Sequence, residues 1–424
     1  MNTQEYFKQL IDAQKSGSDQ AICSICSANE FVLEAAMEDA RDNGLMLLVE
    51  ATANQVNQFG GYTGMKPSDF MAFVSRIAEK VGLDKQQIIV GGDHLGPLTW
   101  QDDSEAAAMS KSEELIKQYV SAGFSKIHLD TSMRLADDSR TERLSDQTIA
   151  KRAARLCAAA EAAAKDIKPV YVIGSEVPIP GGATENEESI AFTSPEDLKS
   201  TLDAFHTAFL DQGLKDAWKR VIAVVVQPGV EFADNTIIRY NRQDAAKLVA
   251  YAKSLEDIVL EGHSTDYQPK ATLDLMRQDG IAILKVGPAL TFALREALFA
   301  LEDMERTLYP FSPEGGYSYF KDTLEAKLMS DNQYWKKYYQ GSEQEKAYAR
   351  KYSLSDRCRY YLDDNGVRAS IARLVKNINT ADIPFGLISQ YFPELKEVVL
   401  NAQKKLKAEM LIKERIKCVV RTYR

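Results

Sequence analysis

Cysteine and long apolar runs are scarce in this 424-residue sequence, and acidic residues outnumber basic ones. Its five cysteines are an odd number and mostly scattered, which is typical of thiols that stay reduced in a cytoplasm. Cys23 and Cys26 form a CxxC without a second pair, so we interpret them as small packing residues rather than as a redox or zinc motif. No apolar run approaches the length of a membrane span, and the polar start Met1–Glu5 does not resemble a signal peptide. We therefore expect a cytoplasmic protein without a membrane partner.

Charge and glycine patterns argue against two further classes of protein. The 61 acidic residues outnumber the 52 basic ones, and the resulting net charge of −9 argues against a general nucleic-acid binder. The phosphate-binding pattern Gly-x4-Gly-Lys-Ser/Thr does not occur. Gly60-Gly61 is the nearest candidate, but it lacks the following Lys-Ser/Thr. A nucleotide-dependent kinase is therefore disfavoured.

Short apolar runs alternate with helical stretches over about the first 300 residues. Most of the runs are rich in Val, Ile and Leu without strict alternation, which is typical of parallel strands buried on both faces. The runs are Ala21–Ile25, Leu45–Val49, Ile88–Val90, Lys126–Leu129, Val170–Ile173, Val221–Val226, Ile258–Leu260 and Ile281–Val286. Helix start signals lie between them, such as Ser194-Pro195 and Pro67. The pattern predicts an α/β fold, a (β/α)8 TIM barrel over residues 1–300.

The rest of the chain has a different composition. Residues 301–424 are rich in Lys, Glu, Tyr and Leu at helical spacing. They predict a C-terminal helical appendage that packs on the barrel or serves a subunit contact. Within it, the segment Tyr352–Arg359 can bring Arg357 or Arg359 to the mouth of the barrel as a contact for an anion.

Side chains with acid–base or metal-binding chemistry stand at the ends of the apolar runs. In Gly91–Pro97 an Asp-His pair follows the third run, and such a pair supplies a metal ligand beside a general acid or base. Two of the four histidines, His94 and His263, occupy such positions. Because the C-terminal ends of barrel strands converge, we expect one active site there. We interpret Glu50 as a structural residue of the barrel rim and His128 as an interior hydrogen-bonding residue. The residues at or near these ends are Glu50, Asp93, His94, Asp130, Glu176, Gln227, His263 and Lys285.

A family resemblance runs through nearly the whole chain. The stretches that carry it are Asn54–Gly64, Gly91–Pro97, Ile127–Asp130, Gln227–Phe232, Glu261–Tyr267, Leu284–Ala289, Tyr334–Tyr339, Tyr352–Arg357 and Ile383-Pro384. They resemble the Z-type subunit of tagatose-bisphosphate aldolase, a family that is similar to the class II, metal-dependent aldolases. Its members have been described as a non-catalytic partner of the aldolase, as a tagatose-6-phosphate kinase, and as a 4-epimerase of ketohexoses or their 6-phosphates.

The resemblance implies a divalent metal, with Zn²⁺ as the first choice and Mn²⁺, Co²⁺ or Ni²⁺ as alternatives. By resemblance, His94 matches the first metal ligand of the class II aldolases and His263 the last. Gln227 stands where those aldolases have a histidine, and an amide oxygen is a poorer zinc ligand than imidazole. Either Gln227 or a carboxylate, from Glu176 or Asp130, is therefore expected to complete the site.

The resemblance leads us to expect a metal-dependent 4-epimerase that interconverts tagatose 6-phosphate and fructose 6-phosphate, or the free sugars. A proton at C4 is not acidic, so the route would break and remake the C3–C4 bond. Asp93 is the first choice for taking the C4 hydroxyl proton, with Glu176 or Asp130 as alternatives. Lys285 is expected to hold an oxyanion or a phosphate, and a Schiff base is its rival role.

The remaining expectations concern substrate contacts and partners. The residues expected to contact substrate, beside Lys285, are Gln58, Gly229, Ser264, Thr265 and Asp266. The alternative to an epimerase is a non-catalytic Z subunit that stabilises and activates a class II tagatose-1,6-bisphosphate aldolase. Expected ligands are a ketohexose or ketohexose phosphate, and a homo-oligomer and a class II aldolase partner are both left open.

Overall fold

A closed barrel of parallel strands forms the centre of the computed structural model, which describes residues 1–175, 177, 192–401 and 406–424. Neighbouring barrel strands follow chain order, and the last pairs with the first, with Ile22 opposite Ile283. Helices connect the strands, as parallel pairing requires. The predicted (β/α)8 TIM barrel is therefore confirmed.

The barrel strands agree closely with the predicted runs. They are β1 (Ile22–Cys26), β2 (Leu47–Thr52), β3 (Ile88–Leu95), β4 (Lys126–Leu129), β5 (Val170–Ile173), β6 (Val221–Val226), β9 (Val259–Gly262) and β10 (Ile281–Val286), while β7 (Glu231–Phe232) and β8 (Ile237–Ile238) form an antiparallel pair. The largest difference is in β3, which continues past the predicted Ile88–Val90 through Asp93 and His94. Gly91 permits this extension, because an added Cβ would lie 2.5 Å from Glu50 Oε1 on β2.

The helices begin and end at the signals that their sequences carry. They are α1 (Thr3–Lys15), α2 (Glu30–Asn43), α3 (Pro67–Val81), α4 (Glu105–Ala122), α5 (Asp146–Ala163), α6 (Pro195–Asp211), α7 (Lys215–Trp218), α8 (Ala246–Ser254), α9 (Lys270–Gln278), α10 (Pro288–Leu308), α11 (Phe320–Ser330), α12 (Glu343–Tyr352), α13 (Asn365–Thr380), α14 (Phe385–Tyr391), α15 (Lys396–Asn401) and α16 (Ala408–Thr422). At the start of α6, the Ser194 side chain accepts a hydrogen bond from Asp197 N, and Pro195 is the first helical residue.

The N-terminal end of the barrel is filled by apolar side chains. Phe7 and Leu10 of α1 are fully buried in a cluster that also contains Ile22, Leu48 and Ile89 from the first barrel strands. Larger apolar faces of the outer helices pack against the outside of the barrel in a second, more extensive cluster. Because α1 fills one end, polar side chains inside the barrel meet at the C-terminal ends of the strands.

The C-terminal part of the chain returns to the barrel. Helix α16 packs against α2 and α10. Beyond it, the Tyr423 hydroxyl donates a 2.9 Å hydrogen bond to the carbonyl oxygen of Thr265, in the loop after β9. Helix α10 runs across residue 300 without a break. The division into residues 1–300 and 301–424 stays a prediction.

None of the helices in the described ranges is long and apolar enough to cross a membrane.

Candidate functional site

A pocket opens at the C-terminal mouth of the barrel. Its lining comes from the loops after β1, β2, β9 and β10, from the end of β3, and from residues 359–363 of the C-terminal part. The predicted residues that the structure brings together in this lining are Asp93, His94, His263, Ser264, Asp266 and Lys285. The pocket therefore lies where the strand-end residues were expected to meet.

A backbone kink at His94 allows two adjacent side chains to enter the same pocket. Successive residues of a strand normally point to opposite faces. His94 adopts a left-handed conformation with φ of 46°, which breaks this alternation. Asp93 and His94 consequently both line the pocket. Such a backbone is unfavourable for a residue other than glycine, and its position in a pocket is typical of a functional site.

His94 is held by carboxylates on two sides. Its Nδ1 atom lies 2.8 Å from Asp130 Oδ2, and its Nε2 atom lies 3.8 Å from Asp93 Oδ2. Burial alone would lower the pKa of His94, but the charges of Asp93 and Asp130 outweigh it and raise that pKa. Burial would raise the pKa of Asp130, yet its hydrogen bond with His94 and the nearby imidazole charges lower it to about 2. The ionised carboxylate of Asp130 therefore orients the imidazole ring of His94.

Three imidazole rings meet at the base of the pocket, where His94 and His263 belong to the lining. The ring centroid of His94 lies 4.8 Å from that of His263 and 5.2 Å from that of His128. His263 Nε2 lies 2.9 Å from Glu261 Oε1. Burial, together with the charges of His94 and Lys285, lowers the pKa of His263 to about 4 despite Glu261. His263 is therefore neutral at physiological pH, which leaves one ring nitrogen with a lone pair.

The Nε2 atom of His128 is buried and has no hydrogen-bond partner in the described chain. The other ring nitrogen, Nδ1, lies 3.0 Å from Asp93 Oδ1 and 3.2 Å from the backbone nitrogen of His94. Burial opposes ionisation of Asp93, but His94, Lys285 and the hydrogen bond with His128 lower its pKa well below the usual value. The His94 amide donates to Nδ1 at 3.2 Å, whereas the shorter contact with the ionised Asp93 favours a proton on Nδ1, and in that tautomer Nε2 keeps its lone pair. A histidine with a carboxylate on one nitrogen and a free lone pair on the other is arranged as metal ligands are.

Buried ion pairs link the barrel strands below the histidines. Lys126 Nζ lies 2.9 Å from Glu50 Oε1 and 2.8 Å from Glu261 Oε2. Lys285 Nζ lies 2.6 Å from Glu50 Oε2 and 2.7 Å from Asp93 Oδ1. The structure thus places Glu50 inside the barrel rather than at its rim. Burial would lower the pKa of Lys285, but these carboxylates and Cys26 raise it well above its usual value, so the amine is held protonated.

The donor set fits a divalent cation. Asp93, His128, Glu261 and His263 are all buried, and each offers a ligand atom within 4.8 Å of the others. The orphaned Nε2 atom of His128 supplies an independent reason for an ion at this place. The charges agree as well. The buried carboxylates Glu50, Asp93 and Glu261 contact the two buried ammonium groups of Lys126 and Lys285, which leaves one negative charge before any imidazole is protonated.

Other predicted site residues have different contacts. Gln227 Oε1 accepts hydrogen bonds from the amides of Gly229 and Val230, so this oxygen closes its own turn. The Thr265 hydroxyl donates to the carbonyl of Lys285, and Gln58 Nε2 donates to the carbonyl of Lys111. Glu176 lies outside the described residues, and the functional roles of all these residues stay predictions.

Asp266 lines the pocket and accepts hydrogen bonds at the first turn of α10. Its Oδ1 atom lies 3.0 Å from the amide nitrogen of Gly287 and 2.8 Å from that of Ala289. Burial raises the pKa of Asp266 to about 6, although these amides act in the opposite direction. The side chain therefore caps the helix from within the pocket.

Lys126 and Glu261 were missed by sequence reasoning. Lys126 opens an otherwise apolar strand, and Glu261 stands two residues before His263, so both could have been flagged as charges within buried runs. His128 was expected only to form hydrogen bonds inside the barrel, whereas it also offers a free ring nitrogen.

Gly96, directly after β3, allows a close approach to the backbone of Asp130, whose side chain contacts His94. A Cβ atom at position 96 would lie 1.7 Å from the carbonyl oxygen of Asp130. We therefore expect Gly96→Ala to lower the free energy of unfolding by about 1–3 kcal/mol or more, because the backbone at Asp130 must move. Urea denaturation measures this change. Gly386→Ala is the matched control, since nothing lies within 4 Å of its added Cβ, and a loss equal to that of Gly96→Ala would contradict the argument.

Comparisons with known proteins give one consistent family. The model of the D-tagatose-1,6-bisphosphate aldolase subunit GatZ/KbaZ-like family matches residues 7–424. D-tagatose-1,6-bisphosphate aldolase subunit GatZ of Escherichia coli O1:K1 is 47% identical over 420 residues, which cover 98% of this chain and 99% of that protein. GatZ of Shigella flexneri has the same identity and coverage.

A solved structure is also closely similar. The crystal structure of a probable tagatose 6 phosphate kinase from Sinorhizobium meliloti 1021 superimposes with a TM-score of 0.86 and 42% identity, covering 95% of this chain and 99% of that one. The description as a kinase belongs to that protein. The sequence of the present chain lacks the Gly-x4-Gly-Lys-Ser/Thr pattern.

The names of the relatives correct one expectation and confirm another. An isomerase acting at C4 of a ketohexose was expected, but the relatives are named as subunits of an aldolase, which is a lyase. The prediction of a 4-epimerase is therefore wrong. The family resemblance is confirmed, and it extends over residues 7–424. With residues 7–424 matched by the family model and 98% of its length aligned to named subunits, the chain belongs to the GatZ/KbaZ-like family of D-tagatose-1,6-bisphosphate aldolase subunits.

Proposed function

We propose that this chain is the Z-type subunit of a class II D-tagatose-1,6-bisphosphate aldolase and that it stabilises and activates a separate catalytic chain. The observation that carries the proposal is the 47% identity to GatZ over 98% of the chain. The aligned residues include both the barrel and the C-terminal part, so the similarity to GatZ is not confined to the barrel fold. The word subunit in the relatives' name implies a second chain.

The pocket of this subunit is proposed to hold a divalent cation. Asp93, His128, Glu261 and His263 would hold it, with His94 beside them. Mixed nitrogen and oxygen donors suit Zn²⁺ first, and Mn²⁺, Co²⁺ and Ni²⁺ are alternatives. When bound, such an ion supplies positive charge that polarises a carbonyl oxygen of a ligand.

The residues of the chain itself are proposed to bind a ketohexose phosphate beside the cation site. Lys285 is held protonated between Glu50 and Asp93, so its ammonium group offers a hydrogen-bond donor to an uncharged ligand oxygen. This arrangement disfavours a Schiff base, which requires a neutral amine. Ser264 lines the same pocket and offers a hydroxyl group.

The test is the formation of a complex. The full chain would be mixed with the catalytic chain of a class II tagatose-1,6-bisphosphate aldolase and analysed by size-exclusion chromatography with light scattering. We expect one species whose mass contains both chains. A class II fructose-bisphosphate aldolase is the control partner, and we expect it to elute separately. Separate elution of the tagatose-specific chain over a range of micromolar concentrations would contradict the proposal.

A further inference from the structure

We infer that the pocket contains an anion subsite at Arg359 and that this subsite receives the phosphate group of the ligand. The residue is supplied by the C-terminal part of the chain, whereas the proposed cation site is supplied by the barrel strands. The inference rests on the proposed function only in naming a phosphorylated ketohexose as the ligand.

The segment before Arg359 is fixed to the barrel by polar contacts. Ser353 and Ser355 donate hydrogen bonds of 2.7 and 2.8 Å to Asp234 Oδ1, between β7 and β8. The Tyr267 hydroxyl, in the loop after β9, donates a 2.5 Å hydrogen bond to the carbonyl oxygen of Leu354. These contacts connect the segment to the barrel at two points. Arg359 therefore reaches the pocket from a segment with a defined position.

The guanidinium of Arg359 is oriented by neutral groups, and the carboxylates of Asp356 and Asp266 act on its charge from beyond direct contact. It donates to the carbonyl oxygens of Ser355 and Asp356, the latter at 3.0 Å, and its Nη2 atom lies 2.9 Å from the Tyr360 hydroxyl. Within the ranges that the structure describes, no carboxylate oxygen lies within 4.0 Å of this guanidinium. By contrast, Arg152 contacts Asp138 and a second carboxylate. A pocket arginine that has no carboxylate in direct contact keeps its hydrogen-bond donors open to an anionic ligand.

The other positive features of the pocket are already neutralised. Lys285 contacts the carboxylates of Glu50 and Asp93. The first turn of α10, where a phosphate would otherwise be favoured, carries the Asp266 carboxylate on its amides. A phosphate at that place would meet a negative charge. Arg359 is therefore the feature of the described lining that remains open to a phosphate.

The test is isothermal titration of the full chain with inorganic phosphate, tagatose 6-phosphate and free tagatose. We expect the wild-type chain to bind tagatose 6-phosphate at least about tenfold more tightly than free tagatose, since a charge-assisted contact to phosphate is worth that much. Arg359→Gln is expected to remove this preference and to weaken phosphate binding at least about tenfold. Its affinity for free tagatose should stay within about twofold. Arg359→Lys, which keeps the charge but loses the planar fork, should be intermediate.

Arg373→Gln is the matched control, because it removes the same charge from an exposed position on α13. We expect it to bind all three probes as the wild type does. If Arg359→Gln still prefers tagatose 6-phosphate over free tagatose as strongly as the wild type does, the subsite is overturned. It is also overturned if the wild-type chain shows no such preference. Either result would leave complex formation with the catalytic aldolase chain unaffected, so the failure of the subsite is distinguishable from failure of the proposed function.

Discussion

Replacing Glu50 with glutamine is expected to lower the free energy of unfolding by about 3–5 kcal/mol, the usual cost of removing one partner from a buried ion pair. Glu50 is fully buried and contacts both Lys126 and Lys285, at 2.9 and 2.6 Å. An amide at this place removes the negative charge that the two ammonium groups share. Neither lysine can turn to solvent, because both are buried inside the barrel. The destabilisation therefore comes from uncompensated charge rather than from lost volume.

Urea denaturation of the wild type and Glu50→Gln measures this loss. Glu79→Gln is the matched control, since Glu79 forms an exposed ion pair with Lys85 at 2.7 Å. Exposed pairs contribute little, and we expect that control to lose less than about 1 kcal/mol. Equal losses in the two variants would show that the buried network does not carry the stability assigned to it.

Replacing His128 with glutamine is expected to weaken binding of Zn²⁺ at least about 100-fold, the upper range for changes that disturb a metal site indirectly. His128 Nε2 is the buried nitrogen without a hydrogen-bond partner in the described chain, and Nδ1 lies 3.0 Å from Asp93. The substitution removes a ligand and also the hydrogen bond that orients Asp93. An amide oxygen is the poorer replacement, because zinc favours imidazole.

Titration of metal-free protein with Zn²⁺, followed by elemental analysis after dialysis, measures this effect. His206→Gln is the control, because His206 lies on α6 beside Trp218 and away from the barrel interior. We expect His206→Gln to bind Zn²⁺ as the wild type does. Unchanged affinity in His128→Gln, with an unchanged circular-dichroism spectrum, would rule out His128 as a ligand.

The barrel could be predicted from the sequence because its information is local. Strands β4, β5, β6 and β10 have the bounds of the predicted runs, which are mostly apolar, as burial on both faces requires. The strand-end position of Asp93, His94, His263 and Lys285 then follows from the fold class alone. The boundaries of β3 were less predictable. Gly91 and Gly92 resemble a loop in the sequence, but they make room for neighbouring side chains in the sheet.

The buried charge network could not be predicted because it depends on contacts across the barrel. Lys126 on β4 pairs with Glu261 on β9, although the two strands are not neighbours in the sheet. The sequence does not state which charges meet in the interior. Similarly, the side-chain oxygen of Gln227 accepts hydrogen bonds within its own turn, a contact that the sequence pattern does not reveal. Asp266 was expected to touch substrate, yet its helix-capping contacts depend on the position of α10.

The reaction was the least predictable feature, since one strand-end arrangement is compatible with several chemistries. Cleavage and epimerisation of a ketohexose can both begin by breaking the bond between C3 and C4. Carboxylates, imidazoles and a lysine at the mouth of a barrel do not distinguish between these outcomes. The names of the relatives distinguish them, in favour of an aldolase subunit.

The most direct test of the proposed function is the rate at which the catalytic chain of a class II aldolase cleaves tagatose 1,6-bisphosphate over hours of incubation. The coupled assay would be run with the catalytic chain alone, with this chain alone, and with both. We predict higher initial activity and slower loss of activity with both chains, and little cleavage by this chain alone. An initial rate and a half-life that are the same with and without this chain would contradict the proposed role.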